Sequence, residues 1–379
     1  MTARWWCATA LFALGCGGDS FVTGDGGGGG DAAPQDGGGG GGDGAPPDGG
    51  VLDGCAGAVC GGQCVVLQTN AQNCGACGHV CGANSVCAGG ACSVLPAPTQ
   101  LSDAACLAID ASNVYFTNGR VLNSMAGVFR APLMGGVPTV MAMGGTLDQP
   151  RGIALDQNSV FFTTPTQVWR ADKNGNPNAQ PIVTTTNNAG AIVADTSSIY
   201  WVTMGDGVLW RADKNGQSTT SLTQATGSTR AGMFQSLLLD GPNHMAYWTD
   251  PVQGVVARWD LNLSMPTAPT SWVAGQSRPF GIALAGMTLH WANNMAGTLV
   301  RGSTAMQTST QVVSAQTAIH SVATDGANVY YSYQGGVRKV PIAGGNATQV
   351  AQAPNATCLA VDNAYVYFMS TNQIWRAPK

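Results

Sequence analysis

The chain contains no glutamate. All 20 of its acidic residues are aspartate, and charged residues make up 9% of the 379, against about 25% in an ordinary soluble domain. Chemistry that needs a glutamate acid, base or metal ligand is excluded, paired-Glu glycoside hydrolysis included. Residues 1–53 hold seven Asp against one Arg, while 54–379 hold thirteen Asp against fifteen Lys and Arg. A folded part so close to neutral offers no basic stripe for a phosphate backbone, so no nucleic-acid partner is expected. Helical periodicity is also missing, and no apolar run reaches the ~20 residues that span a bilayer. What abounds is glycine, 53 residues of it, the composition of a turn-rich β protein.

The first fifteen residues, MTARWWCATALFALG, place Arg4 ahead of an apolar stretch from Trp5 to Leu14. A basic start and a short hydrophobic segment are the pattern of an export signal. Ala13-Leu14-Gly15-Cys16 resembles the lipobox of bacterial lipoproteins, which implies cleavage after residue 15 and lipidation of Cys16. A plain secretory signal is the alternative; either exports the chain, to the outer membrane or cell surface or to the medium. Residues 16–54 are almost wholly Gly, Asp, Ala and Pro. They cannot bury apolar area and are expected to form a disordered acidic tether reaching roughly 33 Å. Their seven Asp are too irregularly spaced for a calcium loop.

Eight cysteines follow within residues 55–92: Cys55, Cys60, Cys64, Cys74, Cys77, Cys81, Cys87 and Cys92. A stretch this short has too few large apolar side chains for a core, so cross-links must hold it. Eight cysteines allow 105 pairings, and the sequence does not choose among them. Cys74, Cys77, His79 and Cys81 could also be read as zinc ligands, but an exported chain favours disulfides. The run Asn73-Cys74-Gly75-Ala76-Cys77, with Cys81, Cys87 and Cys92, resembles the stigma-specific cysteine-rich family, which implies a spacer or interaction module.

Residues 93–379 repeat one unit seven times. The units open CLAID-ASN-VYFT (106–117), GIALD-QNS-VFFT (152–163), AIVAD-TSS-IYW (191–201) and SLLLD-GPNHM-AYWTD (236–250). The last three open GIALA-GMT-LHW (281–291), SVATD-GAN-VYY (321–331) and CLAVD-NAY-VYF (358–368). Their aliphatic anchors, Val114, Val160, Ile199, Ala246, Leu289, Val329 and Val366, lie 46, 39, 47, 43, 40 and 37 residues apart. A period near 42 suits a four-stranded antiparallel blade. A third strand ends near a cation: Arg130, Arg170, Arg211, Arg258, Arg301, Lys339 and Arg376. Seven units predict a seven-bladed β-propeller, because closing the ring removes long exposed sheet edges. The first inner-strand positions are all small, as crowding around a channel requires. The last unit has three strands, so Ser93–Pro96 is expected to supply its fourth.

Tyr247-Trp248-Thr249-Asp250, with Asp240 before it and Arg258 after, resembles the YWTD repeat of lipoprotein-receptor propellers, and the other units resemble degenerate YWTD or NHL repeats. That family usually has six blades, not seven. The resemblance implies a fold whose members mostly bind or scaffold and sometimes carry out lyase chemistry.

Asp110, Asp156, Asp195, Asp240, Asp325 and Asp362 recur after the inner strand, with Ala285 in the fifth unit. They could form an acidic ring for calcium, but repetition in nearly every unit favours a structural role, accepting N–H groups in the following turn. The arginines are expected to pack on aromatics and pair with neighbouring Asp. His290 and His320 fall in adjacent units and would be the acid–base candidates of a propeller lyase. Cys106 and Cys358 occupy equivalent inner positions that ring closure makes neighbours, a possible disulfide staple. The sequence therefore reads as a non-enzymatic binding or scaffolding module carried on the acidic tether, with no cofactor or metal. It would act as a monomer on a protein, peptide or glycan and meet the membrane only through its lipid. A propeller lyase or hydrolase and a structural envelope spacer are the alternatives. The irregular loops Asn118–Gly127 and Asp260–Ser271 are the candidate ligand contacts.

Overall fold

A computed structural model describes residues 55–82, 85–94, 101, 104–119, 126–143, 147–174, 179–225 and 236–379. The signal segment, Cys16 and the tether lie outside the described residues. Among those described, all regular structure is β.

Seven antiparallel sheets form the seven blades of a propeller. Blade four shows the pattern, running from the axis outward as Leu237–Asp240, Met245–Asp250, Val255–Asp260 and Thr270–Val273. Its register sets Leu238 opposite Tyr247, Tyr247 opposite Arg258 and Arg258 opposite Thr270. The inner strands are Ala104–Ile109, Ile153–Leu155, Ala189–Ala194, Leu237–Asp240, Pro279–Ala285, Val322–Thr324 and Thr357–Val361. Each touches the next, and the last touches the first. The ring is closed.

Second strands such as Ser198–Thr203 and Met245–Asp250 are buried on both faces because each is covered by a neighbouring blade. That is why they read as unbroken aliphatic–aromatic runs and not as an alternation with polar residues. Trp201, Trp248, Trp291, Tyr115, Tyr330, Phe116 and Phe162 are fully buried there. Each such side chain is worth about 2–3 kcal/mol in water-excluded area.

Four disulfides cross-link the cysteine module: Cys55–Cys64, Cys60–Cys77, Cys74–Cys87 and Cys81–Cys92. The sulfurs of Cys74, Cys81 and Cys92 lie within 4.8 Å of one another, but as two packed disulfides they have no thiolate to offer a metal. The strand that completes blade seven is Ala91–Ser93, earlier than Ser93–Pro96, and it pairs Ser93 with Trp375 and Cys92 with Arg376. Cys87–Ala88 pairs with it in turn and makes the sheet five-stranded. The module is thus built into blade seven. Gly75 (φ +77°) and Gly89 (φ +59°) permit the fit: an added Cβ would come within 2.3 Å of the Gly90 carbonyl at one and 1.8 Å of the Gln352 carbonyl at the other.

Ring closure brings Cys358 against the strand that carries Cys106. Cys358 has a positive φ of 46°, and its Sγ lies 3.0 Å from the Ala105 carbonyl oxygen. Closure rests on the outer strand and on packing between inner strands.

Candidate functional site

The repeated polar residues are spent between and within blades. Asp110 accepts the N–H groups of Ser112 and Asn113 and the hydroxyl of Tyr115. Asp195, Asp325 and Asp362 do the same with Ser197, Ser198 and Tyr200, with Ala327, Asn328 and Tyr330, and with Ala364, Tyr365 and Tyr367. Asp156 takes Asn158 and Ser159, whose blade has Phe161 in place of tyrosine. Asp240 takes the main-chain and side-chain N–H of Asn243.

A lysine one position beyond the third strand then crosses to the preceding blade. Lys173 reaches Asp110 at 3.0 Å, Lys214 reaches Asp156 at 2.8 Å, and Lys379 reaches Asp325 at 2.7 Å. Burial alone would raise the Asp110 carboxyl, but its N–H donors, Lys173 and Tyr115 together hold it below its ordinary value. Asp156 and Asp325 are lowered against burial in the same way. The arginines run the other way and seek carbonyls instead of carboxylates. Arg130 donates to the Lys173 carbonyl, Arg170 to Asn215 Oδ1 at 2.7 Å, and Arg301 to the Ile342 and Ala343 carbonyls at 3.1 and 2.9 Å. Arg376, fully buried, stacks over Tyr365 and reaches Met134 of blade one and the Val80 carbonyl of the module.

A second fastening lies near the channel. Thr163 accepts the Gly152 N–H and donates to the Gly190 carbonyl of the next blade at 2.7 Å. Thr117 and Thr249 donate likewise to the Arg151 and Phe280 carbonyls. The signal for it was in the sequence, as the Thr that closes VYFT, VFFT and AYWT.

The remaining candidates sit at the mouth formed by the loops that enter the inner strands and those between second and third strands. His320 stacks on Phe280 with ring centres 5.7 Å apart, and Arg278 covers the other ring at 5.5 Å. Asn294 Nδ2 lies 3.3 Å from His320 Nδ1 and donates to the Ile319 carbonyl. Burial, then Arg278, pushes the imidazole down to about 4. Asp250, buried at this face, is raised by burial although Val252 and Gln253 donate to it. His290 is elsewhere. It lies in the middle of blade five between Ala283 and Arg301, and neither ring nitrogen has a hydrogen-bond partner among the described residues. The two histidines therefore do not form one acid–base site. The loop Asp260–Ser271 lies on the opposite face, where Thr267 bridges to Thr223 of blade three; of Asn118–Gly127, residues 120–125 lie outside those described.

No family model and no curated protein matches the chain. Solved structures do. A virginiamycin B lyase from Staphylococcus aureus is similar over 74% of this chain and 98% of its own, with TM-score 0.62 and 13% identity. The WD40 propeller domain of Doa1 covers 74% and 94%, with TM-score 0.59 and 10% identity. YCF48 bound to D1 peptide covers 74% and 94%, with TM-score 0.56 and 12% identity. At these identities the likeness is one of fold, and the fold is a β-propeller.

Proposed function

We propose that the chain is an exported, lipid-anchored surface protein whose propeller is a non-enzymatic binding module for a protein, peptide or glycan. The observation that carries this reading is the use of the repeated Asp, Lys, Arg and Thr side chains in fastening blades together. Ligand contacts must then come from unlike loop residues, and at the mouth Arg278 and Asn294, set over the buried Phe280 and His320, offer a cation and an amide. Such a mixture suits reversible recognition of a polar chain. Four disulfides suit an oxidising location.

The test is a peptide and glycan array probed with the purified full chain and with Arg278→Ala. Binding that the variant loses supports the module. The second reading, a propeller lyase or hydrolase, draws on His320, held neutral at the mouth. Turnover of a lactone panel that His320→Ala abolishes would establish it instead. Intact mass of the mature protein reports lipidation at Cys16.

A further inference from the structure

Blade four keeps the repeat's arginine and tyrosine, but the next blade fails to occupy them. Where Lys173, Lys214 and Lys379 follow their third strands, Thr304 follows Thr298–Ser303. Its short side chain and its N–H are both turned onto the Met287 carbonyl, at 3.2 and 2.9 Å. The space a lysine fills at other seams is left as a cleft of about 270 Å³, lined by Asn243, Met245, Tyr247, Arg258, Met287 and Thr304. In three other blades the equivalent arginine donates to the following turn. Arg258 donates to no carbonyl of the Thr304–Ala305 turn. In four blades the equivalent tyrosine donates to its aspartate, but Asp240 is taken by Asn243 and the Tyr247 hydroxyl is left beside Arg258. Asp240 itself is 3% exposed and is not among the residues that line the cleft.

We propose that this seam is a second binding site, distinct from the channel mouth, for a carboxylate carried on an apolar body. Arg258 and the Tyr247 hydroxyl donate to the carboxylate; Met245 and Met287 flank the body. A single guanidinium balances one negative charge better than the two of a phosphate. Met287 is 59% exposed and Met306, just beyond the turn, 63%, so the apolar wall continues outward where a tail would leave. Unbranched thioether side chains adapt to tails of different shape.

The full chain, labelled with ¹³C at its methionine methyls, reports on the site directly. Octanoate should shift Met245 and Met287, with Met306 following where the tail leaves, and leave the other methionines in place, whereas octylammonium should shift none of them. N-acetyl-leucyl-leucine as free acid and as amide distinguishes a peptide terminus from a fatty acid as the source. Arg258→Gln should weaken octanoate by about tenfold or more, the loss of a charge-assisted hydrogen bond. Thr304→Lys should fill the cleft and abolish the shifts, and it decides the matter if the first variant misfolds. Equal shifts with octylammonium, or unchanged binding by a folded Arg258→Gln, would overturn the proposal. Arg278→Ala, at the other face, should leave these shifts unaltered, so the mouth and the seam stand or fall separately.

Discussion

Blade seven is assembled from two distant segments of the chain, and blade five from one uninterrupted segment, yet blade five is the one that has lost the repeat's internal fastenings. Blade seven gains a strand from the cysteine module, disulfides behind that strand, and Arg376 tied to both module and blade one. Blade five has Ala285 where the aspartate should be and His290 where the tyrosine should be, with Ile342 in place of the lysine beyond it. Its imidazole is buried without a hydrogen-bond partner among the described residues. The contrast teaches that a ring tolerates a blade without its own polar pair if both neighbours pack on it, whereas the seam joining head to tail must be reinforced.

Acid should find blade five first. Burial, then Arg301, lowers His290 to about 4 from an ordinary 6.5, and burial, then Arg278, does so for His320. The folded state therefore binds fewer protons than the unfolded chain between those values. Stability is full above pH 6.5 and falls as pH drops toward 4. At pH 4.5 the loss is on the order of 2–3 kcal/mol for each histidine, roughly 5 kcal/mol in all. The fastening carboxylates, lowered in the fold, keep their contribution over this window and lose it only at lower pH. Denaturant midpoints at pH 7 and 4.5 measure the drop, and His290→Tyr should remove about half of it.

Reductant should find blade seven. Cys81→Ser with Cys92→Ser opens a loop of sequence separation 11 and should cost about 3 kcal/mol, read as a fall in the thermal midpoint. The Thr latch is common to several blades and gives a yardstick between the two extremes. Thr163→Val leaves a buried N–H and a buried carbonyl without their partner, a loss of about 2 kcal/mol in a urea titration. The smallest effect has the opposite sign. Ala285→Asp with His290→Tyr should recreate the pair seen at Asp325 and Tyr330 and raise stability by about 1 kcal/mol at pH 7; a fall would show that the blade's packing has adapted to the histidine.

Much of this architecture could be read from the chain. The period of the aliphatic anchors and the small residues of the inner strands were enough for seven blades, because both follow from local backbone geometry. The seams were harder to read. Lys173, Lys214 and Lys379 stand in equivalent positions, but their partners lie in the previous blade, 63 residues away for Lys173, and depend on how blades stagger. Disulfide pairing in the module is a property of its three-dimensional path, and closure by Ala91–Ser93 required knowing that Cys92 faces Arg376. The cleft beside Arg258 is a matter of what Thr304 fails to fill, which only side-chain volume in three dimensions discloses.

The disulfides of the module form overlapping loops, 55 to 64, 60 to 77, 74 to 87 and 81 to 92. Tension applied ahead of residue 55 cannot unravel such a chain of interlocked rings; it passes through covalent bonds to Cys92 and into the strand paired with Gln373–Pro378. Mechanical load arriving from the amino-terminal side would therefore be borne as shear along that ladder, and the hold of the propeller on the module would equal the strength of the ring's own join.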